Sequence, residues 1–149
     1  MKRIFNICMI FLICFTLSKG AEYQDIILKK VNIARVKKGL KPLKIDSKLN
    51  KIALVKAEDM AKEERLSHES KKFGMTFNLI KKKGIKYSAA AENIARWHDT
   101  PEYVAQRWLE SNGHKKNILN PSYDKTGIAL AKDKNGKNYW VQIFIAEKK

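Results

Sequence analysis

Beyond residue 14 the chain has no cysteine: both thiols, Cys8 and Cys14, fall in its first stretch. Disulfides therefore cannot hold the remainder together, and a cysteine nucleophile is excluded there. Only three prolines and seven glycines occur, which rules out collagen-like and proline-rich classes. No internal repeat or low-complexity linker is visible. Apolar runs are short as well. The longest, from Ile4 to Leu17, falls below the roughly 20 residues that a membrane-spanning helix needs. Acid is scarce, with 15 Asp and Glu against 31 Lys and Arg.

Lys2 and Arg3 precede that apolar run, and Ser18 and Gly20 follow it. A basic start, an apolar centre and a small-residue end are the signature of an export signal. Residues 1–20 are read as the leader, cut after Gly20, and residues 21–149 as one domain, secreted, periplasmic or on the cell surface. A second processing route stays open, because Leu12-Ile13-Cys14 loosely resembles a lipoprotein signal with Cys14 as the acylated residue. The bulky Ile13 argues against it. Without Lys2, Arg3 and Lys19, 28 basic residues face 15 acids, a net charge of +13. Such a surface attracts acidic extracellular or membrane-surface partners. The lysines lie in short groups with few interleaved aromatics, and no nucleic-acid-binding motif is present, so nucleic acid is disfavoured. A monomer is expected.

Ile27, Val31 and Ala34 recur at helical spacing between Glu22 and Lys38, and Gly39 supplies a stop. Asp46 or Ser47 can cap a second helix, whose buried stripe runs through Leu49, Ile52, Ala53, Lys56, Ala57 and Met60 to about Glu64. Residues 73–82 read as a weaker helix closed by Gly84. Residues 92–95 are placed on or beside a short strand. Thr100-Pro101-Glu102 gives a cap, a first-position proline and a first-turn acid for a helix that Gly113 should end. Two late strands, residues 126–131 and 138–146, flank an Asn135-Gly136 turn. The second is apolar on both faces, which predicts layers on each side. The expected class is α/β (α+β), with a mostly antiparallel sheet between helical layers.

Four stretches stand out together: LSHES around His68, AENIA around Glu92, RWLESNGHKKNIL around His114, and TGIALAKDKNGKNYWVQIF at the end. In that order and spacing the chain resembles the CAP superfamily of cysteine-rich secretory proteins, antigen 5 and pathogenesis-related proteins, in its compact bacterial branch. The resemblance implies an α-β-α sandwich with a cleft where two histidines and two acids converge. His68, His114 and Glu92 correspond to three of them. Where the second acid is expected stands Ser111, while Glu110 lies one step earlier and points about 100° away round the helix. Gly113 is expected to turn the chain and aim His114 at His68.

Two imidazoles and one carboxylate make His68, His114 and Glu92 a candidate set of ligands for zinc or another divalent metal. The alternative is a wet, hydrogen-bonded cleft without metal. His68, Glu92, Ser111 and His114 are also the candidates for catalysis, with Ser111 as nucleophile and a histidine as base. No oxyanion donors can be assigned to that scheme, which leaves the question of an enzyme open and any enzyme a hydrolase. The leading expectation is a binding or interaction module. A protease-like hydrolase and a lipid- or sterol-binding protein are the alternatives. His98 reads as a loop residue, and Trp97, Trp108 and Trp140 as core or cleft wall. Mass spectrometry of the exported protein separates the two leader readings: an unmodified Ala21 start is expected, and a diacylated Cys14 contradicts it.

Overall fold

The computed structural model describes the backbone of residues 7–148 and the side chains of residues 22–148. The segment read as a leader, with Cys14, lies outside the described side chains. The first helix, α1 (Ile7–Lys37), starts upstream of the Glu22 expected from periodicity and ends just before Gly39, which takes a left-handed φ of 72°. A short strand β1 (Lys44–Ile45) leads into α2 (Ser47–Lys62). Asp46 is the N-cap and accepts hydrogen bonds from the backbone N–H groups of Lys48 and Leu49. A small hairpin follows, β2 (Glu69–Ser70) with β3 (Gly74–Met75), and then α3 (Thr76–Lys82), which is shorter than the expected helix because residues 74–75 are in β3.

AENIA lies within a ten-residue strand, β4 (Tyr87–Arg96), longer than the segment expected there. Thr100 and Pro101 open α4 (Pro101–Glu110) as predicted, the Thr100 hydroxyl accepting from the Tyr103 N–H. That helix ends with Ser111 as its C-cap, and not at Gly113. Strands β5 (Lys125–Lys132) and β6 (Asn138–Glu147) then form a hairpin. Its turn closes with Gly136 N–H bonded to the Asp133 carbonyl, and Gly136 supplies the positive φ.

The sheet order is β1-β5-β6-β4, antiparallel except for the β1–β5 pair. Every residue of β6 except the last is buried, as its two-faced apolar pattern requires. Alternation along β6 divides the core in two. Tyr139, Val141, Ile143 and Ile145 pack with Leu49, Ile52, Ala57 and Met60 of α2 and Ile80 of α3. Trp140 and Phe144 pack with Ile27 and Val31 of α1, Val104 and Trp108 of α4, and Ile118 of α5 (Asn112–Ile118). The result is a three-layer α-β-α sandwich.

Two contacts set how closely the layers sit. Gly127 on β5 lies so near α2 that an added Cβ would land on the Leu49 backbone. On the other face, the fully buried Arg35 guanidinium donates to four carbonyls: Lys41 (2.9 Å), Ile118 (2.7 Å), Asn120 (2.9 Å) and Tyr123 (2.9 Å). It thereby ties the end of α1 to the end of α5 and the loop leading into β5. Gly127→Ala is expected to lower stability by about 1–3 kcal/mol, read from urea unfolding. An unchanged midpoint contradicts this packing.

Candidate functional site

Strand β4 is an edge strand, and its alternation sends Glu92 towards α2 and α3 and Asn93 towards α5. The Glu92 side chain is 2% exposed. A carboxylate so deeply buried must accept hydrogen bonds on both oxygens or lose several kcal/mol to desolvation. It does so: His68 Nδ1 lies 2.8 Å from Oε1, and Thr76 Oγ1 donates to Oε2 at 2.5 Å. An ionised carboxylate only accepts, so Nδ1 is the donor of this bond and Nε2 is the ring nitrogen it leaves unused, in a side chain that is half exposed.

Behind this pair stands Lys56, fully buried on the apolar stripe of α2. Its ammonium donates to the His68 carbonyl at 2.9 Å and lies 5.7 Å from the centre of the Phe73 ring. Burial pushes its pKa below the ordinary lysine value, opposed by attraction to Glu92. The residue thus does two things, fixing the backbone that carries His68 and placing positive charge near the one buried carboxylate among the described residues.

His114 arrives from the other layer. It is the third residue of α5, and the turn that brings it round is made at Ser111 in an extended conformation. Gly113 is helical and has no positive φ, so the expected glycine turn is not the one used. Asn93 Nδ2 donates to the His114 carbonyl (3.2 Å), and Asn117 Nδ2 donates to Asn93 Oδ1 (2.9 Å). Asn93 therefore anchors α5 to β4. The imidazole sits edge-on to Trp108, 6.5 Å between ring centres. Burial lowers the His114 pKa, and the His68 ring lowers it further, so the two imidazoles share one field across the edge of β4.

Ser111 stands at the N-cap of α5 and makes no side-chain capping hydrogen bond, and no Ser111–histidine hydrogen bond occurs among the described residues. Glu110 is turned to the outside, where it accepts from Gln106 and pairs with Arg107 at 2.7 Å. It does not replace the missing second acid. Among the described residues no three His, Cys, Asp or Glu side chains gather as a metal-holding cluster, and both Glu92 oxygens are already engaged. His98 lies in the loop before α4, its ring edge-on to Tyr103, its pKa lowered by burial and then by Arg107. Trp108 and Trp140 are buried, whereas Trp97 is 53% exposed and not part of any core. The positions not anticipated from sequence are Thr76 and the charge role of Lys56. A lysine on a core stripe was the available signal for the second.

The Cysteine-rich secretory protein family (CAP) model matches residues 28–144. The uncharacterized Bacillus subtilis (strain 168) protein YkwD is 38% identical over 130 residues, covering 87% of this chain and 49% of its own length. The chain thus spans about half of that relative. An outer surface protein of Borrelia burgdorferi superposes with a TM-score of 0.77 at 26% identity, over 85% of this chain and 94% of that one. An extracellular SCP-domain protein of Bacillus anthracis str. Ames gives 0.76 at 26% identity, over 86% and 41% respectively.

Because burial holds the His114 pKa below its unfolded value near 6.5, the unfolded chain binds the extra proton first. Stability should therefore fall as pH drops from about 6.5 towards the folded pKa, and level off below it. His114→Gln is expected to remove that part of the fall. Urea midpoints measured across this range check it, and identical slopes for both proteins contradict it. Thr76→Val, which strips one oxygen of Glu92, should cost about 1–3 kcal/mol in the same assay.

Proposed function

The chain belongs to the cysteine-rich secretory protein (CAP) family, and from that premise we propose that it is an exported binding module whose two imidazoles take a divalent cation. Export is supported by the leader-like residues 1–20 and by extracellular and outer-surface proteins of the same fold. Cation binding is supported by one observation above all, the His68–Glu92 contact. Metal-ligating histidines commonly donate the second ring N–H to a carboxylate, which fixes the tautomer and makes the free nitrogen more basic. His68 has that arrangement.

His68 through Nε2 and His114 through its ring would hold the ion. Glu92 fits the outer role of orienting His68, not the ligand role expected from sequence, because neither of its oxygens is free. The depressed pKa of His114 favours the neutral, ligating form at neutral pH. A bound divalent cation supplies a fixed positive centre with open positions for an anionic or carbonyl-bearing partner. Thr76 holds the carboxylate, Lys56 holds the backbone of His68, and the Asn93–Asn117 pair holds the α5 backbone at His114.

Calorimetric titration of zinc chloride into chelator-treated protein tests this. One saturable site is expected, weakened about 10–100-fold by Glu92→Gln and abolished by His68→Ala or His114→Ala. Absence of heat, or heat unchanged in both histidine variants, contradicts it.

A further inference from the structure

The loop between β4 and α4 carries an aromatic residue where the backbone least favours one. Trp97 has a φ of 68°, the left-handed region that bulky side chains rarely enter without compensation. The compensation comes from below. The Trp97 N–H donates to the Asn138 carbonyl at 2.7 Å, and the buried Asn138 amide donates to the carbonyls of His98 (2.9 Å) and Asp99 (3.3 Å). Trp140 Nε1 adds a bond to the His98 carbonyl at 2.8 Å. Four hydrogen bonds with the first residues of β6 hold a strained turn whose side chain points out of the fold.

Nothing in the core uses that side chain. Trp97 is 53% exposed, and Tyr103, edge-on to the neighbouring His98, is 49% exposed. Arg96 lies over the Trp97 ring, 4.2 Å from its centre, and its guanidinium forms no ion pair among the described residues. With Arg96 stacked over one face, the half-exposed indole keeps its opposite face as a flat apolar surface, and the guanidinium carries unpaired N–H donors suited to a carboxylate. A pyranose ring presents C–H groups to an aromatic face, and an acidic polysaccharide carries carboxylates on the neighbouring rings. The basic excess of the chain steers such polymers towards the surface.

We propose that Trp97 and Arg96 form a binding site for an acidic glycan, one sugar stacking on the open face of the indole and the carboxylate of a neighbouring uronate meeting the guanidinium. The site is independent of the cation site at His68 and His114.

Titration of tetragalacturonic acid, followed by tryptophan fluorescence and calorimetry, tests this against neutral maltotetraose and the acidic peptide tetraglutamate. The acidic sugar should bind saturably, and the neutral sugar and the peptide at least about tenfold more weakly. Trp97→Gly, whose backbone accepts a positive φ freely, should fold with an undiminished Tm and lose affinity about thirtyfold, the scale of a hot-spot aromatic. Arg96→Gln, which leaves the backbone alone, should lose affinity comparably, while Trp97→Phe should retain most of it. His114→Ala should bind the sugar as the wild type does. No binding by the wild type, equal affinity for tetraglutamate, or full affinity in a folded Trp97→Gly overturns the proposal.

Discussion

Burying one carboxylate constrains this molecule more than any other polar group described. Glu92 is held on strand β4 in register with Ile143 of β6, which takes its side chain beneath α2. In that position water cannot serve its oxygens, so the fold must bring partners to it from three separate elements: His68 after α2, Thr76 at the start of α3, and the charge of Lys56 within α2. Each partner is useful only if the others are seated. Removing a single one from such a buried set costs more than its share, because the remaining charge stays buried and unpaired. The direction of the His68 ring follows from this requirement, and so does the exposure of its outer nitrogen.

The opposite layer solves a similar problem with a different group. Arg35 is as deeply buried as Lys56 but is satisfied by backbone carbonyls alone. It fastens α1 to the end of α5, the helix that carries His114. The two histidines are thus supplied by two layers, each organised round its own buried cation, and the charge of the His68 ring is felt at His114. Placement at a sheet edge has a second consequence. An uncovered edge invites pairing with other chains, and the His68 segment and α5 flank this one.

Much of the scaffold is legible in the residues themselves. Asp46, Thr100 and Pro101 act locally, through caps and fixed dihedrals, and they mark helix starts where the structure has them. The apolar character of β6 on both faces requires a covering layer on each side, and the stripe on α2 correctly includes Lys56. Choices that depend on distant partners are not legible in this way. Thr76 looks like an ordinary threonine until β4 brings Glu92 to it, and Trp97 looks like core until Asn138 pins the turn outward. Gly113 misleads for the same reason: glycine permits a turn, but here the extended backbone of Ser111 already supplies it. Family resemblance singled out His68, Glu92 and His114, yet the bonds that tie Glu92 to the His68 ring and to Thr76 are visible only in the structure.

The account stands on the proton between His68 and Glu92, and long-range 1H–15N correlation of the histidine rings observes it directly. In the metal-free protein at neutral pH, His68 should show the tautomer protonated at Nδ1 with a bare Nε2, and Glu92→Gln should shift it towards the common Nε2–H form. A wild-type His68 already protonated at Nε2 would contradict the claim that the buried carboxylate sets the ring.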